Sequence, residues 1–88
     1  MKVLELKNIS HINSHIHYRR VFHANAVLEY LGRKPETKHV QFTIEHSPLG
    51  GTSITIDHLD PIDYPVLPAK QQLKQLISDL DTKGALDS

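Results

Sequence analysis

Histidine is the residue type whose number and spacing in this chain could do chemistry. The chain has 88 residues, of which seven are histidine. Four lie toward the N-terminus, at His11, His15, His17 and His23. In a strand, alternate residues share one face at intervals of about 6.6 Å, and imidazoles at that spacing reach one zinc or copper ion. The pattern predicts either a metal site, with zinc as the candidate ion, or an exposed polar face rich in histidine.

A metal site at these histidines needs a third or fourth ligand from elsewhere in the chain. The acids that could supply it are Glu45, Asp57, Asp60 and Asp63. The three aspartates lack the spacing and the glycine of a calcium-binding loop, which favours a solvated acidic connector. Strand alternation puts His46 and His58 on the apolar side of a sheet, near its ends. There we expect a local hydrogen bond rather than a catalytic role.

Two short basic pairs, Arg19–Arg20 and Arg33–Lys34, are candidates for contact with an anion. The specific interpretation is that Arg19 and Arg20 bind an anion such as a phosphate. The alternative is a structural ion pair, because a guanidinium that points inward at position 20 must meet an acid or a carbonyl. The sequence leaves both interpretations open.

Composition excludes several classes of protein. Ten basic and ten acidic residues give zero net charge, and a polyanion binder usually has a basic excess, so nucleic acid is not favoured. The lack of cysteine excludes disulfides and thiolate metal sites. No apolar run exceeds three residues, which argues against a membrane span or signal peptide and favours the cytoplasm. Without a nucleophile elbow, phosphate loop or cofactor fingerprint, an enzyme is not favoured.

The C-terminal part of the chain has the pattern of an amphipathic helix. Its apolar residues recur at i, i+3, i+4 and i+7, namely Leu73, Leu76, Ile77 and Leu80. Pro68 suits the first helical position and Gly84 suits the end, which predicts a helix over 69–82. Prolines before it predict an extended connector over 60–67.

The rest of the chain predicts strands. Apolar and polar residues alternate over 40–45 and 53–57, with turn residues between them. Residues 14–31 alternate in the same way, although a helix at about 18–31 would also present an apolar stripe. We favour the strand. The predicted fold is one α+β domain spanning 1–88, an antiparallel meander of three or four strands with a C-terminal helix packed on one face. A β-α-β-β-α order is the alternative.

Two five-residue turns, at 32–36 and 47–51, set the register of this meander. They place Leu28 opposite Val40 and Ile44 opposite Ile54, so that every apolar row lies on one face. Leu4 and Leu6 would add a fourth strand. On the other face the register predicts two cross-strand pairs, His23 with Glu45 and Glu29 with His39.

The width of the sheet gives the functional prediction. Four strands span about 19 Å and one helix about 10 Å, so the helix covers roughly half of the apolar face. The remainder would form an interface from Tyr18, Phe22, Leu28, Phe42, Ile54 and Ile56. We therefore expect a non-enzymatic interaction or assembly module, a symmetric homodimer. The alternatives are a small ligand- or metal-binding domain that uses the histidine-rich face, and a small enzyme at a dimer cleft with a histidine as general base.

Overall fold

A computed structural model describes residues 1–12 and 18–86. In chain order its elements are β1 (Lys2–Ile12), β2 (Arg19–Glu29), β3 (Glu36–His46), β4 (Thr52–Leu59) and α1 (Val66–Thr82). The strands form one antiparallel sheet in the order β1-β2-β3-β4. This meander with one C-terminal helix confirms the predicted α+β fold. Within the described residues, no helix is long and apolar enough to cross a membrane.

Residues 19–29 are a strand, which makes the alternative of a helix at about 18–31 wrong. Burial alternates along β2, and the buried side chains are those of Phe22, Ala24, Ala26 and Leu28. These side chains pack with residues of α1, such as Leu73 and Ile77, in one core. We call the sheet side toward α1 the inner face and the opposite side the outer face.

Helix α1 begins at Val66, three residues before the predicted start, and ends at Thr82 as predicted. Pro68 is accommodated because the first N–H groups of a helix have no intrahelical partner. After the helix, Gly84 has a φ of 72°, a left-handed conformation that glycine adopts without strain. The chain then turns back so that Leu86 is buried in the core.

Most of the surface expected to form an open interface is covered within a single chain. Four of its six residues are buried, namely Phe22, Leu28, Phe42 and Ile56. The expectation fails at these positions because α1 does not cover the sheet alone. Ile62 and Tyr64 of the connector pack against the same core, as does Leu86. Of the six, only Tyr18, at 54 % exposure, and the half-buried Ile54 keep accessible surface.

The predicted register is confirmed in one hairpin and wrong in the other. Ile44 lies opposite Ile54, as expected from the turn at 47–51. Between β2 and β3, however, Val40 lies opposite Ala24 instead of Leu28, because the connection is tighter than a five-residue turn. The slip is an even number of residues, so each side chain keeps its face.

The register slip removes both predicted cross-strand pairs of the outer face. His23 lies opposite Gln41 rather than Glu45, and His39 lies opposite Asn25 rather than Glu29. Glu45 instead lies opposite Arg19 and forms an ion pair with it. The outer face therefore brings histidines together on neighbouring strands instead of pairing them with glutamates.

Both edge strands are irregular. The pairing of β1 with β2 shifts between Val3 and Glu5 and again between Lys7 and Ser10. The first shift leaves Leu4 exposed, contrary to its predicted inward position, while Leu6 packs against the core as expected. In β4, Phe42 lies opposite Ile56 but Gln41 lies opposite His58, so Asp57 is an extra residue. Bulges of this kind discourage an edge strand from pairing with another chain.

Candidate metal centre

The bulge at Asp57 changes the face on which His58 lies. Strict alternation after Ile56 would put His58 on the inner face, as the sequence predicted. With Asp57 as the extra residue, His58 lies opposite Gln41 on the outer face, and Leu59 returns to the inner face opposite Val40. The prediction for His58 is wrong because periodicity of two does not account for an inserted residue.

His58 thereby joins two other metal-ligating residue types, His39 of β3 and Asp60 just beyond β4. Each of the three offers a ligand atom, and these atoms lie within 4.8 Å of one another. The His58 Nε2 atom is 2.8 Å from the Asp60 Oδ1 atom. His39 is half-buried, whereas His58 and Asp60 are each accessible to solvent. A metal ion in water could therefore reach all three.

Backbone contacts hold the aspartate in place. The Asp60 N–H donates to the His39 carbonyl over 3.1 Å, and the His39 N–H donates to Asp60 Oδ2 over 3.0 Å. Pro61 follows and has no N–H to continue a ladder. The carboxylate of Asp60 thus supplies the acceptor that the next residue of a longer strand would otherwise provide. One carboxylate oxygen is tied to the backbone of β3 and the other faces His58.

These contacts lower the pKa of the Asp60 carboxyl below its ordinary value of 3.8. The largest cause is the hydrogen bond from His58, followed by the hydrogen bond from the His39 backbone N–H. Both favour the ionised form, and a nearby imidazolium adds to the effect. The carboxylate is therefore in the state that a metal ion requires.

His23 extends the cluster onto a third strand. Its Nδ1 atom is 3.1 Å from the Nε2 atom of His39, and the two ring centroids are 5.0 Å apart. The ring of His58 lies 5.8 Å from that of His39 on the other side. Since one of the two close nitrogens must donate the proton, His23 fixes the orientation and tautomer of His39.

The metal ligands predicted from the N-terminal histidines are only partly brought together. His23 contacts the cluster through His39. His11 lies opposite Phe22, with its ring centroid 5.0 Å from that of Phe22, and so not on the face of His23. His15 and His17 lie outside the described residues. Asp60, which the sequence offered only as a possible further ligand, is in the cluster.

Sequence reasoning missed His39 and His58 as ligands. They are nineteen residues apart in the chain and meet only through the pairing of β3 with β4. The one local signal is His58-Leu59-Asp60-Pro61, in which a proline ends the strand directly after an acid that lies two residues from a histidine. That signal indicates a strand end with a histidine–aspartate contact, but it does not reveal the third residue.

Two imidazoles and one carboxylate form a ligand set that zinc and other first-row transition metals accept. Ligand atoms around a tetrahedral zinc ion are about 3.3 Å apart, so the His58–Asp60 pair would have to open by roughly 0.5 Å on metal entry. That adjustment needs only side-chain rotation. The pair also has the geometry of a general base oriented by a carboxylate. Because a third ligand-type group converges on it, metal binding uses more of the observed arrangement.

The two arginines expected to contact an anion both face acids. Arg19 Nη2 is 3.5 Å from Glu45 Oε1, and Arg20 Nη2 is 2.9 Å from Asp81 Oδ1. Arg20 Nη2 also lies 3.0 Å from His46 Nε2, which gives His46 the local hydrogen bond expected of it. The structural ion pair at Arg20 is thus present. Anion binding stays a prediction, and the anion would compete with these carboxylates.

Comparison with known proteins gives a family and no function. No curated protein and no solved structure matches the chain. One family model matches residues 1–82, which include all four strands, the helix and the whole histidine cluster. The chain belongs to the family that this model describes, the BB_0187 family.

Proposed function

We propose that this domain binds a divalent transition-metal ion, with zinc as the reference ion, through His39, His58 and Asp60. The observation that carries the proposal is the convergence of their ligand atoms within 4.8 Å. This function is the metal-binding alternative raised by the sequence, moved from the N-terminal histidines to the junction of β3 and β4.

The rigidity of the ligand positions supports the proposal. His39 lies within β3, and the two hydrogen bonds between His39 and Asp60 hold the aspartate next to it. Ligands on strands are positioned more accurately than ligands on loops. His23 adds the outer partner that a metal-ligating histidine usually has on its second ring nitrogen.

The number of ligands indicates an open rather than a closed site. Structural zinc sites are closed by four protein ligands, whereas sites with three protein ligands keep a position for water or another molecule. Three residues form the group in the described part of the chain. We therefore expect reversible binding and an exchangeable position on the metal.

Thermal unfolding with and without zinc tests the proposal. An ion at 100 times its Kd stabilises the folded state by about 2.7 kcal/mol. In a domain of this size that should raise Tm by roughly 10–20 °C over the EDTA-treated protein. His58→Ala should abolish the rise. Asp60→Asn should weaken it strongly while keeping a carbonyl acceptor for the His39 N–H.

Two control variants locate the site. His46→Ala removes the same residue type from the far end of β3 and should leave the zinc response unchanged. The double variant His15→Ala/His17→Ala should also keep it. Loss of the response in that double variant, with retention in His58→Ala, would place the metal at the N-terminal histidines instead. No response in the unaltered protein would remove the proposal.

Self-association, the function first expected from the sequence, stays a prediction. Its supporting observations are the accessible surface of Tyr18 and Ile54 and the zero net charge, which imposes no overall repulsion between copies. Light scattering during size-exclusion chromatography tests it, and a 10.0 kDa species at tens of micromolar would contradict it. A symmetric dimer weakened by Tyr18→Ser would support it.

A further inference from the structure

A cleft runs along the edge of β4 beside the proposed metal ligands. It lies between β4, the connector and the first turns of α1, and its volume is about 280 Å³. We call it the edge cleft. His58 and Asp60 line it together with Asp57, Ile62, Val66 and Lys70. Two of the three proposed metal ligands therefore border a cavity of the size that holds a small molecule.

The charge of the edge cleft depends on the metal. Asp57 and Asp60 outnumber Lys70, so the cleft without a metal ion is net negative. A divalent cation at Asp60 would reverse that sign. Among residues 1–12 and 18–86, Lys70 forms none of the ion pairs, and its ammonium group is available to a ligand. The metal-loaded cleft is thus suited to an anion, and the metal-free cleft is not.

The remaining lining is apolar and only partly covered. Val66 is 50 % exposed and Ile62 is half-buried. Val66 and Lys70 are one helical turn apart, so they are neighbours on the surface of α1. An apolar surface beside a cationic group fits a ligand with a charged head and a hydrocarbon tail.

We propose that the metal-loaded edge cleft binds a small aliphatic carboxylate, an inference that rests on the proposed metal-binding function. The carboxylate takes the open position on the metal and contacts Lys70, while its tail covers Val66 and Ile62. No bond is formed or broken within the ligand, because the carboxylate only displaces water from the metal. The ligand class follows from the anion preference, the small volume and the apolar wall.

An NMR titration of the zinc-saturated protein with acetate, butyrate and hexanoate tests the inference. Backbone amide shifts should localise to Ile62, Val66 and Lys70. Each methylene that becomes fully buried should tighten binding about fourfold, so hexanoate should bind best. Lys70→Gln should weaken hexanoate binding about two- to fivefold without changing zinc affinity, as expected for an exposed charge pair. Lys74→Gln, one turn further along α1 and outside the cleft lining, is the matched control and should bind like the unaltered protein.

Each outcome separates the two proposals. Zinc binding with no chain-length dependence, or with no effect of Lys70→Gln, overturns the carboxylate inference and leaves the metal site intact. Equal hexanoate affinity in the zinc-free protein also overturns it, because the cleft then needs no metal. If zinc does not bind, the proposed function fails first. Chain-length dependence that requires both zinc and Lys70 supports the inference.

Discussion

Two histidine–aspartate arrangements lie at opposite ends of the sheet, and they differ in what stands beside the imidazole. At the end of β4, His58 Nε2 faces Asp60 Oδ1 directly over 2.8 Å. At the end of β3, Arg20 approaches both His46 and Asp81, with its Nη2 atom 3.0 Å from His46 Nε2 and 2.9 Å from Asp81 Oδ1. In each case a histidine and an acid come together from separate parts of the chain.

The difference shows that the neighbour of a histidine, rather than the histidine itself, decides its chemistry. A guanidinium only donates hydrogen bonds and keeps its charge, so it occupies the lone pair of His46 and repels a metal cation. A carboxylate accepts hydrogen bonds and attracts a cation, which leaves His58 open to metal. We interpret the Arg20 end as a structural connection between the sheet and α1, and the Asp60 end as a binding site.

The largest effect expected from this comparison is on stability at the Arg20 end. Arg20→Met removes the donor to Asp81 in a pair whose side chains are only 18 % and 20 % exposed. Losing a charged hydrogen bond at such a site should lower the free energy of unfolding by about 2 kcal/mol in urea denaturation. The matched variant Arg19→Met breaks a pair with exposures of 40 % and 38 % and should cost less than about 1 kcal/mol. Equal effects of the two variants would contradict the structural role of Arg20.

A smaller effect is expected at the bulge that presents His58. The Thr43 hydroxyl donates to Asp57 Oδ2 over 2.5 Å, and Thr43 is buried at 8 % exposure. Thr43→Val should lower the free energy of unfolding by about 0.5–1.5 kcal/mol. It should also weaken zinc binding if the bulge positions His58. Thr55→Val alters the exposed residue opposite Thr43 and should change stability by less than about 0.5 kcal/mol. Unchanged zinc affinity in Thr43→Val would show that the bulge is not needed for the site.

Periodicity in the sequence was enough to predict most of the fold. Alternation in β2, β3 and β4 identified which residues face the core, and the apolar stripe of α1 identified the helix. Even the wrong register between β2 and β3 preserved these faces, because a slip by an even number of residues leaves parity intact. What parity does not determine is which residues become neighbours, and for that reason the pairing of His23 with Glu45 was wrong.

The candidate site depends on the two features that periodicity does not contain. One is the shortened turn between β2 and β3, which brings His23 to His39. The other is the bulge at Asp57, which moves His58 to the outer face. A count of histidines drew attention to the N-terminal cluster, whereas the residues that converge come from three strands. Fold class was thus predictable from local pattern, and the site required long-range register.

The smallest effect concerns pH at the Asp60 end. Since the folded-state pKa of Asp60 is lowered below 3.8, its contribution to stability is present above the unfolded pKa and is lost as pH falls through the folded pKa. The free energy of unfolding of the metal-free protein should exceed that of Asp60→Asn at neutral pH. The difference should shrink below about pH 4. Arg20 keeps its charge throughout this range, so the opposite end gives no such change through its guanidinium. An NMR titration of the Asp60 carboxyl carbon with its midpoint at or above the ordinary value would refute the contact with His58 and, with it, the contrast between the two ends.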